Sequence, residues 1–257
     1  MTTRLRLVTW NIHKGIGSDR KYALDRTAEV LKGIDADILC LQEVDENVPR
    51  SQFHSQAERL AEALGHSHRA IGLNVAVRGG HYGNLTISRH PILESKNLDL
   101  TMRFKKRRSA LVTRIAGPGD RHWIVVNLHL GLMHFERRTQ VRRLVSHIQD
   151  EAKDGEAVVI AGDWNDWGNR LLKEVTAPMG FHLARLEGHR PAGLKTFPSR
   201  RPLAALDKIF YRDPLRLHHV ACVLDAAARK ASDHLPLVAD LSWHASPAVR
   251  AGSGTVV

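Results

Sequence analysis

Cysteine is almost missing from this chain. Cys40 and Cys222 are the only two, and both lie inside apolar segments. That excludes a disulfide framework and a cysteine-rich zinc site, and it predicts a reducing, cytoplasmic setting. Long apolar runs are missing as well: no stretch of 18 occurs, so no transmembrane helix is expected. The opening MTTRLRLVTWNIHKG has neither an apolar h-region nor a small-residue cleavage site, so no secretory leader is expected. Gly15 and Gly17 in HKGIGSD fit neither the dinucleotide fingerprint nor the P-loop, which disfavours a Rossmann fold. No G-x-S-x-G elbow is present, and Ser232 stands too close to Asp233-His234 for a triad, so serine nucleophilic catalysis is not expected.

Negative charge is scarce relative to positive. Lys and Arg total 38 against 27 Asp and Glu, a net charge of +11, and Arg outnumbers Lys by 27 to 11. The planar guanidinium fork suits bidentate phosphate binding, so the excess points to a phosphate-bearing partner; genome-wide Arg bias is the competing reading. Sixteen His residues add positive charge below about pH 6.5. Hydrophobic and charged fractions of 43% and 25% are ordinary for a globular protein. Residues 1–244 contain no repeat or linker and read as a single domain; residues 245–257 (ASPAVRAGSGTVV) read as a flexible tail.

The elements alternate along the chain. Strands are expected at Leu5–Trp10 and Ile38–Leu41, and helices around Leu24–Leu31 and Ala57–Leu64, the latter stopped by Gly65. Five strands follow between residues 68 and 128, then a long helix with Val141, Leu144, Val145 and Ile148 on one face. Further strands are expected at Ala157–Ala161, Lys208–Tyr211, His219–Leu224 and Pro236–Leu241. Many strands without a strict βαβ repeat predict an α/β (α+β) chain with packed sheets covered by helices.

Chemically capable residues stand where these strands meet loops: Asn11, Gln42-Glu43, Asn127 and His129, Asp163 and Asn165, Asp207, and Ser232-Asp233-His234. Rigid strands aim side chains while loops stay wet, so such junctions are natural sites. Glu43, Asp163, Asp207 and Asp233 are four acids in a basic protein, and converging they would need a cation or His to neutralise them. Oxygen ligands without Cys favour Mg²⁺ or Mn²⁺ over zinc. Taken singly, each acid is as readily a helix cap or turn residue. His129 and His234 stand apart from the other histidines because each adjoins a strand end and a polar neighbour, the arrangement that fixes a tautomer for acid/base work.

In order, TWNIH, LQEVD, GNLTISRHP, NLHL, GDWND, LDKIF and SDHLP resemble the endonuclease/exonuclease/phosphatase superfamily. That superfamily includes exonuclease III and AP endonucleases, DNase I, neutral sphingomyelinases and inositol-polyphosphate 5-phosphatases. The match runs over about residues 5–241 and looks nearest to small bacterial members. The resemblance implies a four-layered α/β/β/α sandwich, DNase I-like, with the site at one end of the two sheets. It implies Glu43 as principal metal ligand with Asn11 beside it and Asp233 adjacent, and Asp163 as the residue orienting or deprotonating water. Asn165 and His129 would donate to phosphate oxygens, and His234, held by Asp207, would face the scissile phosphate. Asp45 stands where the AP endonuclease branch carries Lys, which weighs against damaged-DNA specificity.

Substrate contacts are expected from the run Arg103–Arg108, where Arg103, Lys105, Lys106, Arg107 and Arg108 lie between strands, and from Asn84 and Trp164. Trp164 and Trp167 either stack on a base or pack beneath the site. Arg137, Arg138, Arg142 and Arg143 form a second basic cluster, expected partly on exposed helix faces. The expected activity is Mg²⁺- or Mn²⁺-dependent phosphodiester hydrolysis, with nucleic acid favoured over anionic lipid as partner. The alternatives are a phosphodiesterase or phosphatase on phospholipid headgroups or inositol-type phosphates, and a catalytically dead nucleic-acid-binding module.

Overall fold

Period-two alternation decides the architecture. In β1 (Arg4–Asn11), Leu5 and Leu7 face one core while Val8 and Trp10 face another. A strand apolar on both faces must be covered on both sides, and this chain covers its strands with a second sheet on one side and helices on the other. The computed structural model describes residues 4–119, 121–152, 156–176, 179–185 and 193–243. The expected tail, 245–257, lies outside them.

The first sheet contains β1, β2 (Ile38–Glu46), β3 (His68–Val77) and β4 (Gly80–Ser88), together with two strands from the end of the chain. The second contains β5 (Ile92–Asp99), β6 (Ser109–Ala116), β7 (His122–His129), β8 (Ala157–Asp163), β9 (His182–Leu183) and β10 (Asp207–Tyr211). With β11 (Leu215–Cys222) and β12 (Leu237–Trp243), the strand orders are β11-β12-β1-β2-β4-β3 and β5-β6-β7-β8-β10-β9. β1 and β2 are parallel, as are β7 and β8; the other pairings are antiparallel. The C-terminal ends of β1, β2, β7 and β8 therefore share one edge of the sandwich with the starts of β4, β6, β10 and β12.

Among the described residues four α-helices complete the layers: α1 (Leu24–Ile34), α2 (Gln56–Leu64), α3 (His134–Glu151) and α4 (Ala226–Ala231). α1, α2 and α4 cover the first sheet through Leu31, Leu60 and Ala228; α3 covers the second with the expected stripe Val141, Leu144, Val145 and Ile148. Ser55 caps α2 by accepting from the Glu58 N–H, and Gly65 closes it at φ 66°, where a side chain would be strained. The four layers match the architecture expected from the resemblance. α4 and β9 had no counterpart in the periodicity, and β11 begins earlier than the expected 219–224 strand. No helix among the described residues is long and apolar enough to cross a membrane.

Candidate active site

The alternation that builds the core also loads the gap between the sheets with polar groups at one end. In β7, Trp123 and Val125 belong to the inter-sheet core, so Asn127 and His129 point the same way; in β8, Ala157, Val159 and Ala161 set the direction of Asp163. Asn11 follows Leu5 and Leu7 on β1, and Asp207 precedes Ile209 on β10. Gly162 lets β8 close on β7: a Cβ there would lie 2.0 Å from the Leu128 carbonyl oxygen, and its φ of 149° is unsuited to a side chain. Glu43 needs a separate device. The β2–β4 register shifts between Leu41 and Val44, and Glu43 stands at φ 56° in this bulge, a left-handed conformation rare for a non-glycine residue.

At the centre Asp163 is 2% exposed and contacted from four sides. Its Oδ2 accepts from Asn11 Nδ2 at 3.2 Å, lies 3.5 Å from His129 Nε2 and 3.9 Å from His234 Nε2, while Oδ1 accepts from the Asn165 backbone N–H at 3.0 Å. His234 Nδ1 bonds Asp207 Oδ2 at 2.8 Å. The peptide carrying His234 is fixed by Trp10 Nε1, which donates to the His234 carbonyl at 2.9 Å, and by Ser232 Oγ, which donates to the Asn11 carbonyl at 2.7 Å. Donor atoms of Asp163, Asp207 and His234 all lie within 4.8 Å of one another.

Burial alone would lower the pKa of His234, but Asp207, Asp163 and Asp233 raise it to about 10, so the ring is cationic at neutral pH. His129 goes the other way: burial and Arg108 lower it to about 4, leaving it neutral. Burial would raise the Glu43 carboxyl, yet His129, Lys14 and His13 hold it at about 2. His129 being neutral at pH 7, the direct partner of Glu43 is Lys14, whose Nζ bonds its Oε2.

Polar cross-links tie the sheets together at this edge. Asn127 Nδ2 donates to the carbonyls of Leu41 and Leu85 at 3.1 and 2.9 Å, and its Oδ1 accepts from Gln42 Nε2 at 2.8 Å. Asn84 Nδ2 donates to the Ser109 and Asn127 carbonyls at 3.2 and 3.3 Å. Asn84 thus spends both N–H donors inside the seam, which corrects its expected role as a substrate contact.

Trp164 needs a second correction. It is one residue beyond Asp163, so parity turns it away from the site into the α3 core, fully buried 4.4 Å from the Phe210 ring, with Nε1 donating to the Lys208 carbonyl. Trp167 is the exposed tryptophan of the pair; it packs edge-on to Phe197, whose ring lies 4.8 Å from that of His234. Asp233 is partly exposed, 3.8 Å from His13 Nδ1 and apart from the compact cluster. Arg103, Lys105, Lys106 and Arg107 are exposed on the β5–β6 connection as expected, but Arg108 turns inward and is 5% exposed, its Nε buried without a hydrogen-bond partner. Arg137, expected partly exposed, is buried, its guanidinium donating to the Gly131 and Leu132 carbonyls. Asp45 is buried against Arg50, bonded through both carboxylate oxygens at 2.7 and 2.8 Å.

Two cationic residues escaped the sequence reading. Lys14 was hidden within TWNIHKG, read for its Asn and His. Lys208 is 2% exposed, and its Nζ donates to the Asp166 and Ala205 carbonyls at 2.9 and 2.7 Å, joining the loop after β8 to the approach to β10. Burial lowers it to about 8. Its signal was a lysine inside the otherwise apolar strand LDKIFY, where an unpaired charge could not stay.

The model of the Endonuclease/Exonuclease/phosphatase family matches residues 8–234. Uncharacterized protein YbhP of Escherichia coli (strain K12) is 34% identical over 249 residues, covering 92% of this chain and 95% of that protein. The crystal structure of an endonuclease/exonuclease/phosphatase from Beutenbergia cavernae DSM 12333 superposes with a TM-score of 0.80 at 25% identity, covering 95% of this chain and 73% of that one. A Bacteroides vulgatus protein of the same description gives 0.76 at 20% identity, covering 94% and 100%. The bulged Glu43, the Asp163–Asp207–His234 cluster and the two-sheet frame that joins them thus stand in a chain that belongs to the Endonuclease/Exonuclease/phosphatase family.

Proposed function

We propose that this chain hydrolyses phosphodiesters with the help of a divalent cation, Mg²⁺ or Mn²⁺. The observation that carries the reading is convergence. Strands of both sheets bring Asp163, Asp207 and a cationic His234 into one cluster, and the bulge in β2 holds an ionised Glu43 within electrostatic reach of His129 beside it, in a fold whose relatives are hydrolases. The donor set fits a hard cation: carboxylates and a carboxamide, no thiolate, and a Glu43 whose ionised form already holds the ammonium of Lys14. Glu43, with Asn11 and Asp233, would hold the ion, which when bound supplies charge stabilisation to the phosphate oxygens.

The remaining chemistry belongs to the side chains. His234 is protonated at neutral pH, so it donates to the phosphate and leaves Asp163 as acceptor of the water proton. Asp207 fixes the His234 ring through Nδ1. His129 and the second N–H of Asn165 Nδ2, whose first bonds the Leu130 carbonyl at 3.1 Å, would donate to non-bridging oxygens. Arg108 adds a buried guanidinium beside His129, with a free Nε–H suited to an anion. On charge alone, +11 with an arginine excess, a polynucleotide is the favoured substrate and cleavage of nucleic acid the favoured activity. A phospholipid headgroup is the second reading, favoured by Phe104, Leu132, Met133 and Phe135, exposed apolar side chains on segments that leave the site edge of the second sheet.

The test is a hydrolysis panel run with Mg²⁺, with Mn²⁺ and with chelator. It spans supercoiled DNA, single-stranded DNA, RNA, an abasic duplex, phospholipid and inositol phosphates, and bis(p-nitrophenyl) phosphate. Metal-dependent turnover of the generic diester is expected. No turnover on any member, or turnover indifferent to chelator, would overturn the reading.

A further inference from the structure

Exposed apolar bulk is concentrated at one end of the molecule. Of ten large apolar side chains exposed among the described residues, eight lie at the site end, on connections or on the first turn of α3; the exceptions are Ile71 in β3 and Leu93 in β5. Four of the eight form one projection beside the mouth: Phe104 on the β5–β6 connection, and Leu132, Met133 and Phe135 where β7 gives way to α3. They are 51–89% exposed. Lys105 Nζ lies 5.4 Å over the Phe135 ring, which brings the two segments together, and Leu132 follows His129 by only three residues. Phe104 stands at φ 62°, a conformation a bulky residue rarely adopts, at the point where it is 89% exposed. Solvent gives no reason to hold a phenyl ring there.

On the β5–β6 side of this projection the charges are of one sign; on the α3 side Glu174 pairs with His134 and Arg138. Residues 100–108 carry four exposed cations and no acid. Arg103 stacks over the Phe104 ring at 4.6 Å, as Lys105 does over Phe135, so one face of each ring is already covered by a cation. Each ring keeps one face open, but Leu132 and Met133, which complete the projection, have no ring to stack on a base. Apolar tips flanked by Lys and Arg are instead what an anionic lipid surface accepts: the tips enter the boundary of the acyl region while the cations meet the phosphates.

We propose that this projection docks the protein on an anionic lipid surface, turning the mouth of the site toward lipid phosphodiesters. The identity of the substrate rests on the second, phospholipid form of the hydrolase reading above; the docking does not. Co-sedimentation with vesicles in the presence of chelator tests it without turnover, using phosphatidylcholine with and without phosphatidylglycerol, and binding to a single-stranded oligonucleotide is measured in parallel. The chain should sediment with phosphatidylglycerol vesicles and stay in solution with phosphatidylcholine alone. Phe104→Ser/Leu132→Ser/Phe135→Ser, all at exposed positions, should weaken that partition at least about tenfold with an unchanged melting temperature, since each lost insertion removes several methylene equivalents. Lys105→Ser/Lys106→Ser should weaken it by about tenfold or more, at roughly 1 kcal/mol per cation.

Phe104→Trp should retain binding and add a tryptophan emission component that shifts to the blue on vesicle addition. A wild-type chain that ignores anionic vesicles, a triple-serine variant that partitions as well as wild type, or a Phe104→Trp variant whose added emission is indifferent to vesicles would each overturn the proposal. A triple-serine variant that loses only oligonucleotide binding would transfer the surface to nucleic acid. A chain that docks but hydrolyses nothing would leave docking standing and remove the hydrolase reading.

Discussion

The centre of the site and its rim are built on opposite principles. Asp163, Asp207, His129 and His234 are at most 7% exposed and stand at strand ends or, for His234, just ahead of β12; Asp163, Asp207 and His234 are fixed by hydrogen bonds whose partners are also buried, and His129 Nε2 lies 3.5 Å from Asp163. Phe104, Lys105, Lys106 and Leu132 stand on connections in solvent, with cation–ring contacts and little else to hold them. The centre has one arrangement because its polar groups would be costly to leave unpaired. The rim has no such constraint and is free to match a partner. On the proposed function, reaction type belongs to the centre and choice of substrate to the rim.

Breaking the centre should have the largest effect. Asp163→Asn and His234→Ala should each lower kcat on bis(p-nitrophenyl) phosphate by at least about 10²-fold, the scale of acid/base groups, with little change in KM. Near-normal turnover in either variant would remove the division between centre and rim. The Glu43–Lys14 pair sharpens the same division from within. Glu43→Gln should raise the Mg²⁺ concentration needed for half-maximal activity by roughly tenfold or more, while Lys14→Met, which removes the competing ammonium, should lower it. Calorimetric Mg²⁺ titration checks both independently of turnover, and a Lys14→Met affinity equal to that of wild type would deny Lys14 any influence on the ion.

The charge state of the centre also sets a pH dependence in chelated protein. His234 has its pKa raised in the fold, so its contribution is complete below about 6.5 and is lost as pH rises toward 10. Lys208, lowered to about 8, opposes this above that pH, which leaves 6.5–8 as the clear window. There stability against denaturant should fall by up to about 1.4 kcal/mol per pH unit, and His234→Gln should flatten the slope. A variant slope equal to that of wild type would show that the ring is not held as an imidazolium. The rim should give the smallest effect. Replacing Arg103, Lys105, Lys106 and Arg107 with Ser should raise KM for a polyanionic substrate several-fold and spare kcat. A loss confined to kcat would move that connection into the centre.

The centre was legible in the sequence because two patterns coincide there. A buried strand advertises itself by apolar alternation, and a polar residue continuing its inward parity at the open end must lie in the gap between sheets. Asn11, His129, Asp163 and Asp207 satisfy both patterns, and the order of their motifs supplied the fold. The same parity, carried one residue further, would have turned Trp164 inward and away from substrate. Asn84 was misjudged for another reason: a carboxamide facing a gap looks alike whether it meets a ligand or a carbonyl of the opposite sheet. The bulge at Glu43, the inward turn of Arg108 and the pairing of Lys14 depend on local backbone geometry that periodicity does not carry. The rim was legible as a run of charge, but its apolar half depended on knowing which hydrophobic side chains the core leaves outside.

Asn127 gives the seam a further meaning. One carboxamide holds carbonyls of two strands of the first sheet while its own peptide belongs to the second. The two sheets are thus registered at the candidate site by Asn127 together with Asn84, Gln42 and Asn11, each of which bonds from one sheet to the other. Such a machine has no jaw: it cannot open by parting its sheets without unmaking the alignment on which its chemistry depends. Whatever motion admits substrate and releases product falls to the surface connections, and slow steps in turnover should be sought there.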